Sequence, residues 1–98
     1  MKTAELHPHA LRDIEEAASF YEREGSAALA ARFVAEFERV AKLILADPGL
    51  GTPRARGRKG FPATDFPYTV IYREVPTGIR ILVVKHDRRQ PGYGGSRR

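Results

Sequence analysis

The chain of 98 residues is 42% hydrophobic and carries 17 Lys+Arg against 12 Asp+Glu with no cysteine, enough for one core and incompatible with disulfides or thiolate metal sites. No apolar run is long enough to span a bilayer and no signal-peptide stretch opens the chain, so it reads as one cytoplasmic domain over 1–98 that makes no membrane contact. Charge is divided unevenly, with six Lys+Arg against nine Asp+Glu in residues 1–50 and eleven against three in residues 51–98, which marks the basic half as a candidate surface for polyanions or acidic partners.

Thr3 to Leu6 suits a short edge strand. From Pro8 to Glu24 the residues Leu11, Ile14, Ala18 and Tyr21 recur at three- and four-residue steps and predict a helix, with Pro8 in its first turn and His7 available to cap it. Ser26 offers an N-cap for a second helix, in which Leu29, Phe33, Phe37, Val40 and Ile44 form the apolar stripe until Asp47-Pro48-Gly49 ends it. So short a connection predicts an antiparallel helix hairpin.

Beyond the basic stretch from Gly51 to Gly60 the pattern changes. Gly60 to Phe66 suits a strand, and Tyr68–Val75 and Ile79–His86 are rich in β-branched and aromatic residues, as stronger strands are. Pro76-Thr77-Gly78 supplies the reversal between them. Placing Val75 opposite Ile79 sets Glu74 beside Arg80, Tyr72 beside Leu82, Val70 beside Val84 and Tyr68 beside His86, with Arg73, Lys85, Ile71, Ile81 and Val83 on the other face. The helices can cover only one face, so the second is expected to form a shallow groove, and the glycines of 91–98 predict a flexible basic tail. The fold class is α+β, a helix hairpin on a three- to four-stranded antiparallel sheet.

Two constellations could carry chemistry. Arg54, Arg56, Arg58 and Lys59, on an extended segment, would project a row of cations suited to phosphates or to an acidic protein. At the end of the last strand, His86, Arg88, Arg89 and Tyr93 combine a group that titrates near neutrality, cations for a phosphate and an aromatic ring that stacks or positions a proton. Metal-independent RNA cleavage uses those roles, whereas a histidine ending a strand beside Tyr68 also serves as a structural pair. His7 and His9 have no third ligand nearby, so no metal site is expected, and no phosphate-loop or dinucleotide motif calls for a cofactor.

The words Leu6-His7-Pro8-His9-Ala10, Ala18-Ser19-Phe20-Tyr21-Glu22, Asp47-Pro48-Gly49-Leu50-Gly51, Phe66-Pro67-Tyr68-Thr69-Val70-Ile71-Tyr72-Arg73 and His86-Asp87-Arg88-Arg89-Gln90-Pro91, in this order, resemble the toxins of the RelE/ParE superfamily. The resemblance implies a plasmid-stabilisation toxin of a type II toxin–antitoxin module, bound in a hetero-oligomer by a small, acidic, partly disordered antitoxin. The ParE branch it implies inhibits DNA gyrase without catalysing a reaction, and the surface residues for it are Arg54, Arg56, Arg58, Lys59, Arg88 and Arg89. The RelE branch cleaves messenger RNA on the ribosome, with His86, Arg89 and Tyr93 as the catalytic set. RelE-type toxins carry an arginine directly after the tyrosine that opens the third strand, where this chain has Thr69, which favours the ParE branch. A non-toxic nucleic-acid-binding module is the third reading.

Overall fold

The computed structural model describes all 98 residues. Strand β1 (Thr3–Leu6) leads into helix α1 (Pro8–Glu24), which starts where His7 Nδ1 accepts the His9 N–H at 3.0 Å and Pro8 takes the first helical position. A proline is tolerated there because that N–H has no intrahelical partner. Helix α2 (Ala27–Ala46) starts at Ser26, whose hydroxyl accepts the Leu29 N–H at 3.0 Å, and stops at Asp47. Strands β2 (Thr52–Pro53), β3 (Lys59–Pro62), β4 (Tyr68–Val75) and β5 (Gly78–His86) follow. The sheet order is β1-β5-β4-β3-β2, antiparallel except for the parallel β1–β5 pair. The α+β arrangement is therefore as expected, with five strands in place of three to four.

The helix hairpin covers one face of this sheet. Ala10, Ile14 and Ala17 of α1 and Phe33, Val40 and Ile44 of α2 pack on Val70, Tyr72, Ile79, Ile81 and Val84. The stripe of α1 is rotated from its predicted position: Leu11 is 46% exposed, while Ala10 and Ala17 are buried. Short residues let α1 lie close to the sheet, and removing such apolar area from water contributes about 25 cal/mol per Å². Tyr72 is fully buried with its hydroxyl satisfied, donating to the Pro48 carbonyl at 2.7 Å and accepting the Gly51 N–H at 2.9 Å.

The β4–β5 register agrees with the sequence at one end only. Tyr68 opposes His86 and Val70 opposes Val84, but nearer the turn Tyr72 opposes Ile81, Glu74 opposes Ile79 and Val75 opposes Gly78, with an irregularity between Ile71 and Tyr72. A bulge places two residues against one and shifts the alternation, so Ile81 faces the helices while Leu82 and Val83 both join Ile71 on the second face. The groove expected there is crossed by the tail, since Tyr93 packs on Ile71, Leu82 and Val83.

Gly78 shows how tightly β1 is seated. Its φ is 145°, and an added Cβ would stand 2.1 Å from the Thr3 carbonyl oxygen. Only glycine combines that dihedral with so close a strand.

Candidate functional site

Three loops surround the second face and the β5 end of the sheet: the segment 54–58 before β3, the turn after β5, and the tail. The segment 54–58 is not extended. A 3-10 turn at Ala55–Gly57 holds Arg56 at φ 64°, ψ 32°, and the Arg54 N–H donates to the Arg58 carbonyl at 2.8 Å. The row of cations predicted from sequence is thus broken up, because a turn sends successive side chains in different directions. Arg54 stays exposed, Arg58 is buried, and Lys59 turns to Glu74, Nζ to Oε2, at 3.1 Å.

Arg58 instead clasps the tail. Its guanidinium donates to the carbonyls of Gly94 at 3.1 Å, Gly95 at 3.2 Å and Arg97, and Arg56 also donates to Gly95. Burial, joined by the charges of Arg56, Arg73, Arg97 and Arg54, pulls the Arg58 guanidinium below its usual pKa.

Asp13 anchors the other side of the tail. It lies on the buried face of α1, where its carboxylate accepts the Val84 N–H at 3.0 Å, the Tyr93 hydroxyl at 2.6 Å and the Arg97 guanidinium at 2.6 Å. Arg97 Nη1 also donates to the Leu82 carbonyl at 3.0 Å. Strand β1 pairs with β5 only as far as Ile81, so Asp13 and Arg97 satisfy main-chain groups that a longer β1 would have taken. Burial, then the Asp13 bond, pushes the Tyr93 hydroxyl above its ordinary pKa.

Beside this network lies an open cleft of about 410 Å³, lined by Asp13, Glu16, Ala17, Phe20, Tyr68, Val84, His86, Arg89 and Tyr93. It brings together His86, Arg89 and Tyr93, the set predicted from the end of the last strand. The His86 ring stands edge-on to Tyr68 at 5.1 Å and its Nδ1 accepts the Arg88 N–H at 3.0 Å. Arg89 sits over the Tyr93 ring, 4.7 Å from its centre, and Arg88 is exposed on the turn. Burial pushes Tyr68 up to about 12, which keeps its hydroxyl neutral well beyond neutral pH. Thr69 donates to Asp87 at 2.9 Å and holds the turn onto β4.

As site residues, Asp13, Glu16, Phe20 and Arg97 were not found from the sequence. Asp13 left a signal, an acid between Ala10, Ile14 and Ala17 on the apolar face, since a carboxylate there needs partners. Arg97 left none, because only the fold brings the tail against α1 and β5. No cluster of acids, histidines or cysteines is arranged to hold a metal, and no helix is long and apolar enough to cross a membrane.

Comparisons with known proteins agree with this architecture. No curated protein matches the chain. A solved structure described as a chromosomal ParDE TA system from P. aeruginosa superposes with a TM-score of 0.77 at 18% identity, covering 88% of this chain and 96% of that one. That likeness speaks for the fold. The sequence itself fits, over residues 4–91, the family described as ParE toxin of type II toxin-antitoxin system, parDE. The match runs from β1 through the turn beyond β5, and by it the chain belongs to the ParE toxin family of type II toxin–antitoxin systems.

Proposed function

We propose that this protein arrests growth as a ParE-type toxin, acting on DNA gyrase by binding, and that a cognate antitoxin neutralises it. The family match over residues 4–91 is the observation that carries the reading. Two hydrogen bonds at the β5 end of the sheet support it. Thr69 occupies the position of the RelE-type arginine and is spent on Asp87, and the Tyr93 hydroxyl is spent on Asp13. The antitoxin, a small acidic chain that folds as it binds, would lie over the cleft at the end of β5. There the half-exposed Phe20 and the cleft beside Tyr68 offer apolar anchorage, and Arg88 and Arg89 meet its acids.

The convergence of His86, Arg89 and Tyr93 on one cleft favours a second reading, RNA cleavage of the RelE kind. Two assays on cells induced for the protein separate them. Under the first reading a reporter plasmid becomes relaxed or gyrase-cleaved while a translated message stays intact, both in cells induced for the wild type and in cells induced for Arg89→Ala. Codon-positioned cuts in the message with normal supercoiling, abolished by Arg89→Ala, would replace it with the second.

A further inference from the structure

The second face of the sheet holds a concentration of arginine that neither the core nor the cleft beside Tyr68 accounts for. Arg73 on β4 stands directly opposite Arg80 on β5, and like charges facing each other across two strands are unfavourable. Arg80 has Glu5 at 3.4 Å and Arg97 has Asp13. Arg56, Arg58, Arg73 and Arg98 have no carboxylate partner. These four, with Arg97 and Leu82, line an open cleft of about 420 Å³. A neighbouring cleft of about 390 Å³ shares Arg56 and Arg58 and adds Arg54, so the basic surface continues past the crossing point of the tail.

The members differ in freedom. Arg58 and Arg97 are fixed by their bonds to tail carbonyls and to Asp13, and so act as rigid posts whose ordering cost is already met by the fold. Arg73 and the Arg98 side chain have all their donors free. Arg56 spends one on Gly95 from a left-handed backbone conformation, which L side chains adopt only when their surroundings impose it.

We propose that this arginine cleft binds the phosphodiester backbone of a nucleic acid, with Arg73, Arg98 and Arg56 as the contacting arms. The proposal goes beyond the toxin reading: it shares Arg54, Arg56 and Arg58 with the surface expected from sequence but adds Arg73 and Arg98 and does not involve Arg88, Arg89 or His86. Guanidinium forks match phosphate oxygens two at a time, and a nucleic acid offers one charge at every link. A protein partner is disfavoured because Leu82 is the only apolar group in the cleft, whereas tight protein interfaces are built on buried aromatic or aliphatic anchors.

The test is fluorescence anisotropy of the full-length protein with labelled mixed-sequence 20-mers, single-stranded and duplex, of DNA and of RNA, across a salt series. Arg73→Gln and Arg98→Gln should each weaken binding five- to tenfold at low salt and flatten the log–log salt dependence by about 0.7–0.9. Arg56→Gly should weaken it similarly without disturbing the fold, because glycine accepts the left-handed turn. Arg12→Gln, which removes a charge on the outer side of α1, should change it less than twofold. The polymer bound more tightly identifies the source of the phosphodiester. Equal losses from Arg12→Gln and Arg73→Gln, an absence of binding, or displacement of the oligonucleotide by polyglutamate at equal charge concentration would each overturn the proposal, the last in favour of an acidic polypeptide.

Discussion

Asp13 is the residue on which most depends. A single carboxylate joins α1 to β5 through Val84, to the hydroxyl of Tyr93 and to Arg97, with little water to share the load. Replacing it with alanine strands a buried guanidinium and an unpaired main-chain donor, and breaking a buried pair in this way costs about 3–5 kcal/mol. Urea unfolding of Asp13→Ala should show that loss, and Tyr93→Phe, which removes one hydrogen bond to a charged group, should lose about 1.5–3 kcal/mol. A second residue-scale prediction comes from Tyr68. Burial is the main cause of its rise to about 12, the nearby Tyr21 adds to it, and Arg89 opposes it. The unfolded chain ionises near 10, so folding favours the neutral phenol. That contribution is complete below pH 10 and is lost as pH climbs from about 10 towards 12. Melting temperature should fall across that window, and Tyr68→Phe should make the fall shallower.

Among the elements, β1 is the most conditional. Its four residues are almost all exposed, and it holds its place by parallel pairing to β5 and by the His7 N–H bond to the Ile81 carbonyl at 2.9 Å. Gly78→Ala would drive a methyl group into the Thr3 main chain. The expected outcome is local: amide exchange of Glu5 and His7 accelerates by an order of magnitude or more, while amides in the β4–β5 centre keep most of their protection. Equal acceleration throughout would mean that β1 is not a separate unit. The bulge in β5 is the element-scale counterpart on the other face. By turning Leu82 and Val83 to the same side it creates an apolar strip for Tyr93, and thereby gives the tail a place to dock.

For the whole molecule, the tail closes the structure. It is tied to the 54–58 turn through Arg58, to α1 through Asp13 and to β5 through Leu82, so it links segments far apart in the sequence. Deleting residues 92–98 should lower the melting temperature by about 10 °C or more, since each 1 kcal/mol moves a domain of this size by about 4–8 °C. Combining the deletion with Asp13→Ala should cost less than the two changes separately, because both remove the same bonds. Additive losses would show that the tail and α1 are stabilised independently. The charge division has its structural meaning at this scale: most of the acidic residues lie on the helices, and the basic residues gather around the tail and the sheet's second face.

Local chemistry alone determined the two helices and the two long strands, and the resemblance of five sequence words gave the toxin family. Ser26, Pro8 and the 3.6-residue repeat mark the helix limits, and β-branched runs mark β4 and β5, because capping and periodicity act over a few residues and are written in sequence order. The trio at the end of β5 was legible for the same reason, lying within eight residues. Register, the rotation of the α1 stripe and the arrangement of the arginines were decided by tertiary packing. A bulge is a choice between nearly equal pairings that only the opposing core can make. Arg54, Arg56 and Arg58 look alike in sequence, yet one is free, one is left-handed and one is buried. What separates them is the carbonyls of a tail nearly 40 residues away, a contact that no local pattern encodes.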